Sequence, residues 1–241
     1  MGAWYRKMLF QFQHLFVQDE KSAALLKSIG ISNCTVSGDT RFDRVSAIAA
    51  RAKEIPVVNK FKGNARLIVA GSTWRPDEEL LAAFINEADD VKIIFAPHEV
   101  TPANINKLEQ LLKKSSVRYS QVQNVKVEEA QVLIIDSVGF LSSLYRYGDV
   151  AYIGGGFGVG IHNILEAATF GLPVIFGPAY KKFKEAIDLK SLGGAFPIHN
   201  SGELKATLTR LLYDDEMRQS SSAICENFVR KNTGSSEIII K

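Results

Sequence analysis

The chain has 241 residues, 46% of them hydrophobic and 23% charged, and a formal net charge of +3. That length holds one large globular domain or one and a half, and a small net charge without a concentrated basic stripe argues against a nucleic-acid binder. Cys34 and Cys225 stand far apart and outside any CxxC or metal-ligand spacing, so they read as buried or incidental thiols of a reducing compartment. No apolar run reaches the roughly 20 residues needed to cross a bilayer. Arg6, Lys7, Gln11, Gln13 and His14 interrupt the opening residues too often for a signal peptide. The cytoplasm is the expected location, with a peripheral membrane role open.

In chain order, Trp4, Met8, Leu9, Phe12, Leu15 and Phe16 fall mostly at helical spacing. That predicts a helix face packed on a core, or alternatively an interfacial helix with Arg6 and Lys7 near lipid headgroups. LFVQ, then DEKSAALLKSIG, then CTVSG predict a strand, a helix stopped by Gly30, and a strand. Too few strands fall here to close a sheet, so residues 1–45 read as the end of a domain. Residues 46–62, with Pro56, read as a linker, with helix in 43–62. From Arg66 onward, short apolar runs at 67–70, 92–96, 132–135, 150–153 and 173–176 predict strands. Helical segments are predicted at 77–88, 103–114, 139–146, 163–170 and 181–191, then at 201–212 and 214–230. Continuous apolar strands alternating with helices predict an α/β fold over 63–241, a Rossmann-like parallel sheet covered on both faces. Ligands of such sheets bind at the carboxyl ends of the strands.

The densest chemical signal is VAYIGGGFGVGIHNILEAATFGLPVIFGP, residues 150–178. A strand there runs into Gly154, Gly155 and Gly156, then Gly158 and Gly160, and a helix is expected to start near His162-Asn163. Glycines let backbone amides approach an anion, and a helix start adds unpaired N–H groups with partial positive charge. Glu166, one turn later, is placed to accept hydrogen bonds from a ribose diol; the plainer reading is a first-turn acid with Asn163 or His162 as cap. A GxGxxG reading fails because Val159 or Ile161 takes the third glycine position, and no Walker loop, HExxH or GxSxG is present.

Three other strand ends point to the same sheet edge. Ser72 and Thr73, with Arg75 beyond them, offer phosphate or sugar contacts or a helix cap. Pro97-His98-Glu99 offers an imidazole. Val138-Gly139-Phe140 offers main-chain groups and an aromatic face for a nucleobase, unless Phe140 belongs to the core. Lys181, Lys182 and Lys184 form either a solvated helix face or an anion-facing patch. The four histidines, His14, His98, His162 and His199, have no metal-ligand spacing, so neither metal nor cofactor is expected.

The run DSVGFLSSLYRYGDVAYIGGGFGVGIHNILEAATFGLPVIFGP resembles the 3-deoxy-D-manno-octulosonic acid (Kdo) transferases of lipopolysaccharide synthesis. FVQDEKSAALLKSIGI, VSGDTRFDRV, AGSTWRPDEE and YKKFKEAIDL extend the resemblance over nearly the whole chain. It implies a two-domain GT-B glycosyltransferase that moves Kdo from CMP-Kdo to the lipid A precursor at the cytoplasmic face of the inner membrane. The reaction implied is inverting and metal-independent, with departing phosphate stabilised by amides and helix dipole. The implied CMP contacts are Pro97 and His98, then Val138, Gly139 and Phe140, then Asn163, Ile164, Leu165 and Glu166. Ser72, Thr73, Gly155 and Gly156 are the expected phosphate or sugar contacts. The chain departs from the family at Pro97-His98-Glu99, where an arginine is common, and at Phe140, where a glutamate commonly follows the glycine.

The resemblance also implies that residues 1–45 end an N-terminal acceptor domain, with the membrane anchor and general base in a region outside this chain. No catalytic residue is therefore assigned, and the chain is expected to be a soluble donor-binding part that is inactive alone. Another GT-B enzyme, such as a UDP-sugar transferase or a UDP-GlcNAc epimerase, and a non-catalytic nucleotide-binding module remain the alternatives.

Overall fold

The computed structural model describes residues 2–240. The chain opens with α1 (Ala3–Leu9), β1 (Leu15–Val17), α2 (Glu20–Ser28), β2 (Cys34–Val36), α3 (Thr40–Ala50) and α4 (Pro56–Lys62). Asp19 caps α2 by accepting from the Ser22 amide at 2.8 Å, and Gly30 leaves the helix at φ +91°, a conformation that costs glycine little. β1 and β2 pair in parallel, Leu15 opposite Cys34 and Val17 opposite Val36.

The expectation of a core-packed helix in 4–17 is corrected. The helix ends at Leu9, β1 follows, and Trp4 is 68% exposed and Phe12 50%. Tyr5 and Phe10 are exposed as well. The physical reason is that a two-stranded sheet gives these side chains no second layer to pack against among the described residues.

The strands that follow are β3 (Arg66–Thr73), β4 (Val91–Pro97), β5 (Ser116–Arg118), β6 (Val132–Ile134), β7 (Val150–Ile153), β8 (Val174–Phe176) and β9 (Ala195–Pro197). They form one parallel sheet in the order β5-β6-β4-β3-β7-β8-β9. The helices are α5 (Arg75–Glu87), α6 (Pro102–Glu109), α7 (Leu141–Leu144), α8 (Leu165–Ala168), α9 (Lys184–Leu192), α10 (Ser201–Tyr213), α11 (Asp215–Asn232) and α12 (Ser235–Ile240).

β3 shows why its residues must be apolar throughout. Leu67 and Val69 face one layer, with Val58 and Phe61 of α4, Leu189 of α9 and Val229 of α11. Ile68 and Ala70 face the other, with Leu81 and Ile85 of α5 and Leu208 of α10. A strand covered on both faces cannot alternate with polar residues, and each large side chain so buried contributes about 1.5–3 kcal/mol. The tail returns to the start of the chain. The Asp43 carboxylate of α3 accepts from the Gly234 amide at 2.6 Å and the Ser236 amide at 2.7 Å, which seats α12.

Candidate functional site

The strand order makes a crevice. β3 lies at the centre, the chain passes through β4, the edge strand β5 and then β6 on one side, and it crosses to β7 on the other. Carboxyl ends at such a reversal diverge and leave an opening. At its floor Gly154 follows β7, where a Cβ would collide with the Ser72 carbonyl. Ser72 itself sits at φ +53°, rarely populated by a residue with a side chain, where the β3–β4 register shifts between Gly71 and Thr73.

Asp77, buried in the first turn of α5, ties the crevice together. Its carboxylate accepts from the Trp74 amide at 2.9 Å, the Tyr152 hydroxyl at 2.8 Å and the Gly155 amide at 2.9 Å. Burial, then the Asp77 charge, pushes the Tyr152 phenol far above its usual range, so it stays protonated and donates.

In the loop after β7 part of the expected cluster of bare amides is already engaged. The amides of Gly154, Gly158, Gly160 and His162 donate to carbonyls of Gly71, Gly155, Gly155 and Gly154, and Gly155 donates to Asp77. The helix start expected at His162-Asn163 is also corrected. α8 begins at Leu165, is 4 residues long, and has its Leu165 amide bonded to Asn163 Oδ1 at 3.1 Å. One helical turn sums few peptide dipoles, so its field on an anion is weak. The loop closes on itself because its glycines let successive peptide groups reach each other.

Glu166 lies half-buried on α8 and makes no ion pair among the described residues. Its carboxylate accepts from Ser142 Oγ of α7 at 2.7 Å and from Asn163 Nδ2 at 3.3 Å. A carboxylate fixed by two neutral donors keeps lone pairs for a diol. The buried Tyr145 phenol nearby is held well above its usual range, by burial first and then by the Glu166 charge. Just before α7, Gly139 turns at φ +96°, Val138 is 82% exposed, and Phe140 packs on Tyr119 with ring centroids 5.0 Å apart.

Two cavities open along the same edge. One, about 590 Å³, is walled by Trp74, His98, His162, Phe157, Phe183 and the glycine loop. Trp74 stacks on His98 at 4.6 Å, His98 on His162 at 4.5 Å, and the Trp74 indole N–H donates to His162 Nε2 at 3.1 Å. The second cavity, about 500 Å³, lies across Trp74 and is lined by Thr73, Arg75, Glu78, Pro97 and Lys107. Burial there pushes the Glu78 carboxyl up to about 6, although Thr73 Oγ1 donates to it at 3.2 Å.

Of the residues singled out in the sequence, Thr73 and Pro97 line the polar cavity, and His98 and Gly155 the apolar one. Gly156 is buried back to back with Gly177. Asn163 and Glu166 form a separate cluster with Ser142, while the Ile164 and Leu165 side chains are fully buried and leave only main chain to offer. Lys181 and Lys182 are exposed, and Lys184 pairs with Asp188. Asp77, Trp74 and Ser142 had no role in the sequence, and His162 had only that of a candidate helix cap. An acid at the third position of a helix was the available signal for Asp77. Among the described residues, no group of three or more His, Cys, Asp or Glu is placed to hold a metal ion.

No protein-family model matches the chain. The 3-deoxy-D-manno-octulosonic acid transferase of Aquifex aeolicus is 28% identical over 218 residues, covering 88% of this chain and 57% of the relative. That of Rickettsia prowazekii is 31% identical over 223 residues, covering 87% and 48%. The chain thus spans about half the length of the curated relatives it matches. Among solved structures, the C-terminal CMP-Kdo binding domain of WaaA from Acinetobacter baumannii superposes with a TM-score of 0.62 at 20% identity, covering 80% of this chain and all of that one. The S. aureus MnaA–UDP co-structure gives a TM-score of 0.63 at 15% identity, covering 93% of this chain and 58% of that one. These likenesses give the fold, and the sequence matches give the kinship. Over about half of their length, this chain is a homologue of the Kdo transferases, folded as the carboxyl-terminal domain of a GT-B glycosyltransferase.

Proposed function

We propose that this chain is the donor-binding part of a Kdo transferase and that it binds CMP-Kdo at the crevice between β3 and β7. Residues 63–241 form the nucleotide-sugar domain, residues 46–62 a linker packed onto it through Val58 and Phe61, and residues 1–45 the end of an acceptor domain that docks on the same core through Phe42 and Val45. The observation that carries the reading is the Glu166 carboxylate. It is held by Ser142 and Asn163, with no counter-ion among the described residues, at the end of the sheet where nucleotides bind. Glu166 accepts the two ribose hydroxyls, and the Val138–Phe140 turn, with Phe140 on Tyr119, flanks the base. Pro97 and His98 border the phosphate, and Asn163, Ile164 and Leu165 contribute through main chain. Thr73 and Gly155 shape the floor of the crevice, since the Gly155 amide and the Thr73 hydroxyl are already engaged, and Ser72 and Gly156 contact the phosphate or sugar.

In the whole reaction an acceptor hydroxyl of the lipid A precursor gives its proton to a general base, and its oxygen forms a bond to the anomeric carbon of Kdo. The bond from that carbon to the phosphate oxygen breaks, and CMP leaves with the electron pair. Attack from the opposite face inverts the centre, at the cytoplasmic face of the inner membrane and without a catalytic metal. The test is calorimetric titration with CMP. Glu166→Ala is expected to weaken binding by about 1–3 kcal/mol, the range for hydrogen bonds to a charged group. Equal CMP affinity in both proteins removes Glu166 from the site. The MnaA–UDP likeness motivates a second reading as a UDP-sugar enzyme, and UDP binding tighter than CMP in the same titration would select it.

A further inference from the structure

The Trp74 and His162 side chains come from β3–α5 and from the glycine loop, 88 positions apart, and meet in one hydrogen bond of 3.1 Å. An indole N–H can only donate. The His162 Nε2 atom that receives it must therefore offer a lone pair, which puts the ring's single proton on Nδ1. Free imidazole carries its proton on either nitrogen, so the indole makes a choice that histidine alone does not. Gly155 provides the seat, because a side chain there would press on the Cδ2 edge of His162 at 3.1 Å and on the Gly160 carbonyl.

The surroundings also keep this ring uncharged. Burial, and then His98 stacked 4.5 Å away, hold the His162 imidazole below its usual range, opposed by the charge of Asp77. Asp77 is already engaged by three donors, the Trp74 amide, the Tyr152 hydroxyl and the Gly155 amide. Protonating His162 would also place two protons at Nε2, its own and that of the indole. A neutral imidazole with Nδ1–H is the one arrangement that satisfies both neighbours.

We propose that Trp74 is a positioning residue that locks His162 as the neutral Nδ1–H tautomer, so that the apolar cavity presents an uncharged N–H donor to the sugar of the nucleotide-linked donor. This rests on the donor-site reading above. The sugar, rather than the nucleotide, is assigned to this cavity on its chemistry. Its walls are aromatic faces and glycine backbone suited to the C–H faces of a sugar ring. The carboxylate suited to a ribose belongs to the separate Glu166 cluster. An uncharged donor binds a sugar oxygen equally well on either side of neutral pH, whereas a titrating imidazolium would not.

The test is a long-range proton–nitrogen correlation spectrum of the imidazoles in uniformly ¹⁵N-labelled protein at neutral pH, paired with titrations of CMP and CMP-Kdo. In the native protein His162 is expected to show a protonated Nδ1 and a bare Nε2. In Trp74→Phe, which keeps a stacking ring and removes the N–H, the pattern is expected to shift toward Nε2–H. CMP-Kdo affinity should then fall about threefold to tenfold, the range of one neutral hydrogen bond, with CMP affinity unchanged. A native His162 that is doubly protonated or carries its proton on Nε2 overturns the proposal without any variant, so a misfolded Trp74→Phe does not shield it. Equal losses for CMP and CMP-Kdo overturn the sugar contact. The expected tautomer in a native protein that binds neither nucleotide supports the lock and overturns the donor-site reading instead.

Discussion

Glu78 illustrates what a single burial event does to a side chain that reads, in the sequence, as one acid in a charged helix start. It is 6% exposed, and loss of hydration pushes its carboxyl up to about 6 from an ordinary 4.5. A carboxyl with a raised folded pKa favours folding while protonated, so its penalty is absent below about pH 4.5 and grows as pH rises through 6. Shifts of this size correspond to about 1–2 kcal/mol at neutral pH after allowing for solvent screening. Glu78→Gln keeps an acceptor for Thr73 and is expected to raise the urea midpoint at pH 7–8, with the advantage vanishing at pH 4. A stabilisation independent of pH would show that burial of the charge is not the cause. Glu166 makes the opposite point. Its position after a glycine-rich strand end was legible, but its partner Ser142 was not, because 24 positions separate them and only the tertiary fold brings the two together.

Among the elements, the long helices and the apolar strands were legible, down to the three residues of β6 and β8, and the edge strands and the extent of α8 were not. The 18 residues of α11 and the 13 of α10 announce themselves by apolar spacing and by capping acids and amides, Asn200 and Asp214. The edge strands β5 and β9 have 3 residues each and a half-buried pattern, too little sequence for either period to register. The same limit explains α8, where a run expected over 163–170 holds 4 helical residues. Its neighbours Asn163 and Thr169 bond to the local backbone and end it early. At this scale Asp77 is the joint between α5, β7 and the glycine loop. Asp77→Ala leaves the Tyr152 hydroxyl and the Gly155 and Trp74 amides without their acceptor, and is expected to cost about 3–5 kcal/mol in chemical denaturation. Asp77→Asn should recover only part, because its amide presents a donor where one of those groups needs an acceptor. A loss under about 1 kcal/mol for the alanine variant would mean that the loop is held from elsewhere.

Across the whole molecule, the two sheets are joined by α3, whose residues reach three partners. Phe42 and Val45 enter the core of the seven-stranded sheet, Arg41 pairs with buried Glu185 at 2.7 Å, and Asp43 receives α12. The segment around α1 and β1 leaves Trp4, Tyr5, Phe10 and Phe12 exposed. Apolar clusters of this kind are covered in a finished assembly or drive association when left open. The isolated 241-residue chain is therefore expected to self-associate with concentration in sedimentation velocity, and Trp4→Ser with Phe12→Ser to reduce it. A native chain that stays monomeric throughout would refute this. What the sequence determined by itself is the alternation of buried strands and helices, the parallel sheet it implies, the glycine-rich strand end and the kinship those motifs carry. These follow because burial and turn geometry are written in neighbouring residues. Only the tertiary structure decided which loop amides were already spent, where the one-turn helix began, and that Trp74 faces His162. A hydrogen bond between residues 88 positions apart depends on strand order, and no local spacing encodes it.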